Sequence, residues 1–267
     1  MSYHRRRIIS VVQAMTCCMM SRSLQTEKWA KMTVFKTEMG KIEYKPLNER
    51  AYDSIKSSLI SGEFTPRQVL VIRTLAEAYG ISTTPVREAL QRLVGEGQLV
   101  MLANRSIAVP DWDADKFVEL FRIRCELEGL AAELATKILP PRVVSELAAL
   151  SQQLGDAAKR EDHADYVSLN QRFHFTIYQH AASPRLLRII ENLWGEVGVY
   201  MNELFSHPGY GSIANEEHEH IVREIRNGNA SEVRRHMVAD ISKAADFLLP
   251  RIEFLANEGK TVTAQVR

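Results

Sequence analysis

Leu75-Ala76-Glu77-Ala78-Tyr79-Gly80-Ile81-Ser82-Thr83-Thr84-Pro85-Val86-Arg87-Glu88-Ala89-Leu90-Gln91-Arg92-Leu93 is the stretch on which the fold turns. Ile72, Leu75, Ala76 and Tyr79 recur at helical spacing and predict a short amphipathic helix that stops at Gly80. Gly80-Ile81-Ser82 makes a tight turn, Ser82 or Thr84 is suited to cap the next helix, and Pro85 fits its first turn. Val86, Leu90, Leu93 and Val94 form that helix's apolar stripe, with Thr84, Arg87, Glu88 and Gln91 opposite. A helix-turn-helix needs this combination: a sharp turn and a second helix that is apolar on one side and polar on the other. Ser82, Thr83 and Thr84 at the helix tip can reach base edges and phosphates. The same residues also admit plainer readings. Helical hairpins with a glycine turn occur in proteins that never touch DNA, Arg87 can pair with Glu88 or Glu77, and Thr84 can act as a cap alone.

Upstream, Leu47, Ala51, Ile55 and Leu59 share one helical face, closed by Ser61-Gly62, and the Pro66-containing segment from Phe64 to Val71 reads as a loop. Downstream, Leu99 to Leu102 and Ile107 to Val109 flank Ala103-Asn104-Arg105-Ser106 at hairpin spacing, with Asn104 suited to the turn conformation. Three helices and a hairpin predict a winged helix over residues 46–110. Val109-Pro110-Asp111 marks a linker, and Asp111 or Asp113 can cap the helix after it. Helical periodicity then continues over about 113–138, 142–160, 163–181, 185–206, 213–227 and 230–256, with Pro250 as a potential kink. Six helices predict an antiparallel bundle over 111–256, leaving 257–267 as a tail. The fold class is therefore mainly α.

Composition narrows the function classes. The chain has 267 residues, 45% hydrophobic and 25% charged, with a net charge of +1. That near-neutral balance supplies no global argument for nucleic acid, so any such argument must be local. No run is long and apolar enough for a membrane helix, and Cys17, Cys18 and Cys125 cannot build a disulfide framework, so a cytoplasmic location is expected. Residues 1–45 carry nine Lys or Arg against three Asp or Glu and lack a steady period. They read as a disordered basic tail able to add weak phosphate contacts. Alternatives are a signal-peptide imitation after Arg5-Arg6-Arg7, or a true start at Met32 or Met39.

From Leu75-Ala76 through Gly80-Ile81-Ser82 and Pro85-Val86-Arg87-Glu88-Ala89-Leu90 to Leu93 and Glu96-Gly97, the chain resembles the N-terminal domain of GntR-family regulators. The resemblance implies DNA contacts by Arg73, Ser82, Thr83, Thr84 and Arg87, with Asn104 and Arg105 of the wing entering the minor groove. Thr83 stands where many members have a basic residue, and Ser106 replaces the usual wing glycine. Both departures bear on base preference and leave the fold unaffected.

Glu119, Arg124, Leu127 and Glu128 resemble the first helix of the FadR-type effector domain, often called FCD. Asn170 and His174 lie one turn apart and can face one centre. His218 and Asp240 fall on later helices, and the resemblance implies that these four hold a divalent metal inside the bundle. Asn170 stands at the family's usual Asp and Asp240 at its usual last His. Two imidazoles, a carboxylate and an amide oxygen suit zinc first, with nickel or manganese as alternatives. His220 and His236 compete for the same role, and His236 with Asp240 forms an i, i+4 pair that can also be a satisfied surface contact. Arg124, on a mostly apolar face, requires an anion. That anion is either Glu128 or another bundle acid, or the carboxylate of a small organic acid effector. Arg122 and Tyr200 are weaker pocket candidates.

Together these features predict a homodimer that binds a palindromic double-stranded operator and responds to a small organic acid. Two rival readings are a metal-dependent enzyme in a helical bundle and a regulator whose signal is the metal itself. No separate nucleophile or general-base motif supports the first.

Overall fold

The computed structural model describes residues 45–265 except 112 and 206–209, so the readings made for the basic segment 1–44 lie outside it. Helices α1 (Leu47–Ile60), α2 (Ile72–Tyr79) and α3 (Thr83–Gly95) precede a hairpin of β1 (Val100–Met101) and β2 (Ile107–Ala108). The bundle comes next, as α4 (Ala114–Thr136), α5 (Pro141–Lys159), α6 (His163–Gln179), α7 (Pro184–Phe205), α8 (Tyr210–Asn227) and α9 (Ala230–Gln265). The mainly helical fold with a small wing is as the hydrophobic pattern predicts.

The winged domain is built where that pattern places it. Ile55 and Leu59 of α1 are fully buried, as are Val86, Leu90 and Leu93 of α3. Gly80 ends α2 at φ +64°, where a side chain is disfavoured. Its N–H donates to Glu77 O at 3.2 Å and the Ile81 N–H to Ala76 O at 3.0 Å. These two bonds satisfy carbonyls that the helix end leaves open and reverse the chain into α3.

Two local expectations shift. The Pro66 segment is not wholly loop, because Val69 bridges Ala108 and Leu70 N–H donates to Ile107 O at 2.9 Å, adding a third rung to the wing. The left-handed turn residue is Arg105, at φ +65°, and not Asn104. Asn104 instead accepts the Ser106 N–H through Oδ1 at 3.0 Å, a side-chain turn that moves the strained position one residue on.

Asp113 caps α4 by accepting the Lys116 N–H at 3.1 Å, while Asp111 pairs with Arg67 at 2.6 Å. Helix α4 lies along α9, and α5 is packed by α6 and α8. Helix α9 passes through Pro250 and continues to Gln265, beyond the predicted stop at 256. Proline removes one backbone donor and bends a helix without having to end it.

The winged domain meets the bundle through α1 and α7. A Cβ at Gly198 would stand 1.8 Å from the Leu59 carbonyl oxygen, and one at Gly195 would stand 2.1 Å from Gln98 Oε1. Lys56, buried in the same seam, donates to Asn192 Oδ1 at 2.7 Å. The two glycines thus set how closely the domains approach. Gly198→Ala should cost about 1–3 kcal/mol of stability in urea unfolding, as overpacking does. Gly95→Ala, with nothing within 4 Å of the new Cβ, should be neutral or stabilise by up to about 1 kcal/mol.

Candidate DNA interface and buried polar centre

Arg73 at the start of α2, Ser82, Thr83, Thr84 and Arg87 around the start of α3, and Asn104 and Arg105 in the wing are all exposed. Helix α3 begins at Thr83 with Ser82 at the cap position, so Thr84 lies inside the helix and does not cap it. The Ser82 side chain makes no cap hydrogen bond, which leaves its hydroxyl available. Arg87 forms no ion pair among the described residues; its neighbour Glu88 takes the Asn48 amide at 3.0 Å.

Arg92, on the same helix, behaves differently. It reaches Glu49 at 3.2 Å and Glu96 at 3.0 Å, and its guanidinium stacks 3.7 Å above the Tyr52 ring. Arg92 is thus tied into the α1–α3 contact, whereas Arg73, Arg87 and Arg105 carry positive charge outward. Uncommitted cations at a helix start and a wing are what phosphate binding requires. Arg87→Ala should weaken operator binding by at least about 1 kcal/mol at fixed salt, with the unfolding midpoint unchanged. Arg92→Ala should instead lower the unfolding midpoint.

Inside the bundle, α6, α8 and α9 bring His174, His218 and Asp240 together. His174 Nε2 lies 3.3 Å from Asp240 Oδ2, and His218 Nε2 lies 3.6 Å from Asp240 Oδ1. Asn170, one turn before His174, is also buried. Burial holds the His218 imidazole pKa down at about 4. Burial alone would raise the Asp240 pKa, but the two histidines hold the carboxyl below its ordinary range.

The polar atoms are not satisfied by protein alone. Neither ring nitrogen of His218 has a hydrogen-bond partner among the described residues, although the side chain is 0% exposed. An orphaned buried donor costs about 1–3 kcal/mol. Two imidazole nitrogens converging on one buried carboxylate, with such an orphan among them, fit a divalent cation of the zinc class.

A second chain of hydrogen bonds orients His174. Its Nδ1 lies 3.0 Å from the Tyr178 hydroxyl, which donates to Glu128 Oε2 at 2.5 Å. With that proton committed to Glu128, the Tyr178 oxygen can accept from His174 when Nδ1 carries the ring proton. Nε2 faces Asp240, and with the ring proton on Nδ1 it would present to a cation the lone pair that a metal ligand needs. Glu128, 0% exposed, also accepts from Trp194 Nε1 at 3.0 Å and from Arg124 Nε at 2.6 Å.

Arg124 is therefore paired internally, with its guanidinium also 5.1 Å over the Trp194 ring. Burial disfavours its charge, but Glu128 more than offsets this and raises its pKa. An effector carboxylate would have to share Arg124 with Glu128. Arg122 is exposed, and Tyr200 packs edge-on against Phe117 at 5.2 Å. His236 does not face Asp240; its Nδ1 lies 2.7 Å from Glu217. Tyr178 and Trp194 escape a sequence reading, although a tyrosine one turn after His174 is a detectable signal for the first.

Residues 47–109 match the family described as bacterial regulatory proteins, gntR family, and residues 119–243 match the FCD domain. The chain is similar to the HTH-type transcriptional regulator McbR of Escherichia coli K12, 31% identical over 203 residues, covering 76% of this chain and 92% of that protein. It is also similar to the gluconate operon transcriptional repressor of Bacillus subtilis, 27% identical over 143 residues, covering 54% of this chain and 58% of that protein. Its fold is similar to the solved structure of E. coli McbR/YncC, with a TM-score of 0.73, 28% identity, and coverage of 78% of this chain and 99% of that one.

Proposed function

Because the chain belongs to the gntR family of bacterial regulatory proteins and carries an FCD domain, and is thus a DNA-binding transcriptional regulator, we propose that it binds a palindromic operator as a homodimer under the control of a small organic acid bound beside a metal. The families and relatives are transcriptional regulators and not enzymes. The observation that carries the ligand-responsive reading is the orphaned, fully buried His218 beside Asp240 and His174. Asn170, His174, His218 and Asp240 would hold the cation, with zinc favoured over nickel and manganese. The bound cation would offer an open position to effector oxygens, with Arg124 contributing its charge to the carboxylate. Among the described residues, no helix is long and apolar enough to cross a membrane, and a cytoplasmic role as a repressor, like the gluconate operon relative, fits this reading.

Helix α7 supports a route from effector to DNA. Its Trp194 donates to Glu128, and its next residue, Gly195, begins the close seam with the winged domain. A ligand that favours one setting of the Arg124–Glu128–Trp194 contact would thereby favour one placement of the DNA-reading domain. Dimerisation is supported by α4, whose inner face is buried while Ile123, Leu127, Leu130 and Leu134 follow a 3.5-residue spacing on another face. Ile123 and Leu130 are exposed.

Leu130→Glu should convert the dimer to a monomer in sedimentation equilibrium with unchanged helical content; a dimer that survives would place the interface elsewhere. For the metal, the chelator-stripped protein should gain roughly 2.7 kcal/mol of stability at a zinc concentration 100 times the dissociation constant, and His218→Ala should abolish most of the gain. The effector reading is tested by adding small organic acids to the zinc-loaded protein. At least one should raise the unfolding midpoint and shift operator affinity, and a broad set that does neither would reject it. If zinc alone shifts operator affinity, the metal itself is the signal.

A further inference from the structure

On the same two helices that carry His218 and Asp240, a second group of ligand-type side chains gathers. Glu217 Oε2 lies 2.7 Å from His236 Nδ1 and 3.9 Å from His220 Nδ1. The two imidazole rings are 4.7 Å apart, inclined at 60°. One donor atom from each of Glu217, His220 and His236 lies within 4.8 Å of the others. His220 Nδ1 is buried without a hydrogen-bond partner among the described residues, although the side chain as a whole is 39% exposed.

We propose that Glu217, His220 and His236 form a second divalent-cation site, separate from the buried centre and reached by solvent at His220. Two imidazoles and one carboxylate are a borderline-soft donor set, suited to zinc and its neighbours in preference to magnesium or calcium. Metal–ligand bonds of roughly 2.0–2.2 Å place tetrahedral donors about 3.4 Å apart, so closure requires small side-chain movements on two packed helices. The partly exposed His220 leaves room for water to complete the shell.

Two cationic side chains flank the site, each held by a carboxylate. Lys243 Nζ lies 2.7 Å from Glu217 Oε1, which leaves Oε2 facing the histidines. Arg235 lies 2.9 Å from His236 Nε2 and also pairs with Glu232 at 2.7 Å, a partner that retains it when the metal takes the Nδ1 side of His236.

The two sites differ in access. Side-chain exposure is 0–10% for His174, His218 and Asp240, and 6% and 9% for His236 and Glu217, but 39% for His220, which alone opens the outer site to solvent. The buried site therefore exchanges its ion slowly, and the outer one equilibrates with free metal. Glu217 adjoins His218 in sequence, and His236 lies one turn before Asp240. Filling the outer site thus draws together the two helices that carry the inner ligands.

The test uses the full chain without an affinity tag, stripped by chelator, then dialysed against Co²⁺ with metal counting and visible absorption. His220→Ala should bind one equivalent fewer than the wild type while keeping the wild-type circular dichroism and its unfolding midpoint in chelator. His218→Ala should also lose one equivalent, and the double variant two. Because each count is a difference from the wild type, metal held elsewhere on the chain cancels. Equal counts for wild type and His220→Ala overturn the outer site, and a loss confined to His218→Ala would do so while sparing the buried centre. A loss confined to His220→Ala would support the outer site and remove the inner one.

Discussion

At the middle of the bundle, the Glu128 carboxylate accepts hydrogen bonds from Arg124 on its own helix, Tyr178 on α6 and Trp194 on α7. Removing a carboxylate and a guanidinium from water is costly, and such a pair is tolerated only when nearly every lone pair and proton is met. Here three side chains converge on one carboxylate, so the arrangement of three helices is tightly specified even though the pair adds little net stability. Removing one partner would strand the other charge, which typically costs about 3–5 kcal/mol. The same network bears on which nitrogen of His174 carries the ring proton, because Tyr178 can give its own proton to only one acceptor.

Helix α7 links that centre to the DNA-reading domain. Trp194 points its indole N–H at Glu128, while Gly195 and Gly198 lie against Gln98 and the end of α1. Side chains packed this closely tend to have discrete arrangements, since no slack absorbs a displacement of even one methyl group. A regulator needs such a joint, because a ligand can only redistribute states that differ in their contacts with it.

The arginines of the winged domain divide by the same criterion of what they already hold. Arg92 is engaged by Glu49, Glu96 and the face of Tyr52 and serves the α1–α3 contact. Arg73, Arg87 and Arg105 keep exposed charges with no ion pair among the described residues. Arg105 also occupies a left-handed backbone position that favours glycine, at a cost of roughly 1–2 kcal/mol. The chain thus maintains a cation at the wing tip at some expense in local stability.

Periodicity and punctuation by themselves determined the helix-turn-helix, the wing and six bundle helices, because these rest on local rules: the spacing of Val86, Leu90 and Leu93, the turn at Gly80, a cap at Asp111 or Asp113. Asn170 and His174 were also legible, one turn apart on a single helix. The rest required a choice among alternatives the sequence left open, or contacts between residues distant in the chain. Only the tertiary structure decided that Arg124 is already paired with Glu128, that Tyr178 and Trp194 complete that pair, and that Asp240 turns inward while His236 turns to Glu217. The Gly198 contact with Leu59 is equally invisible in one dimension, since a glycine in a helix shows nothing of the backbone pressed against it. A side chain's type is local, but whether its neighbours one turn away become its partners is settled by what the other helices pack against them.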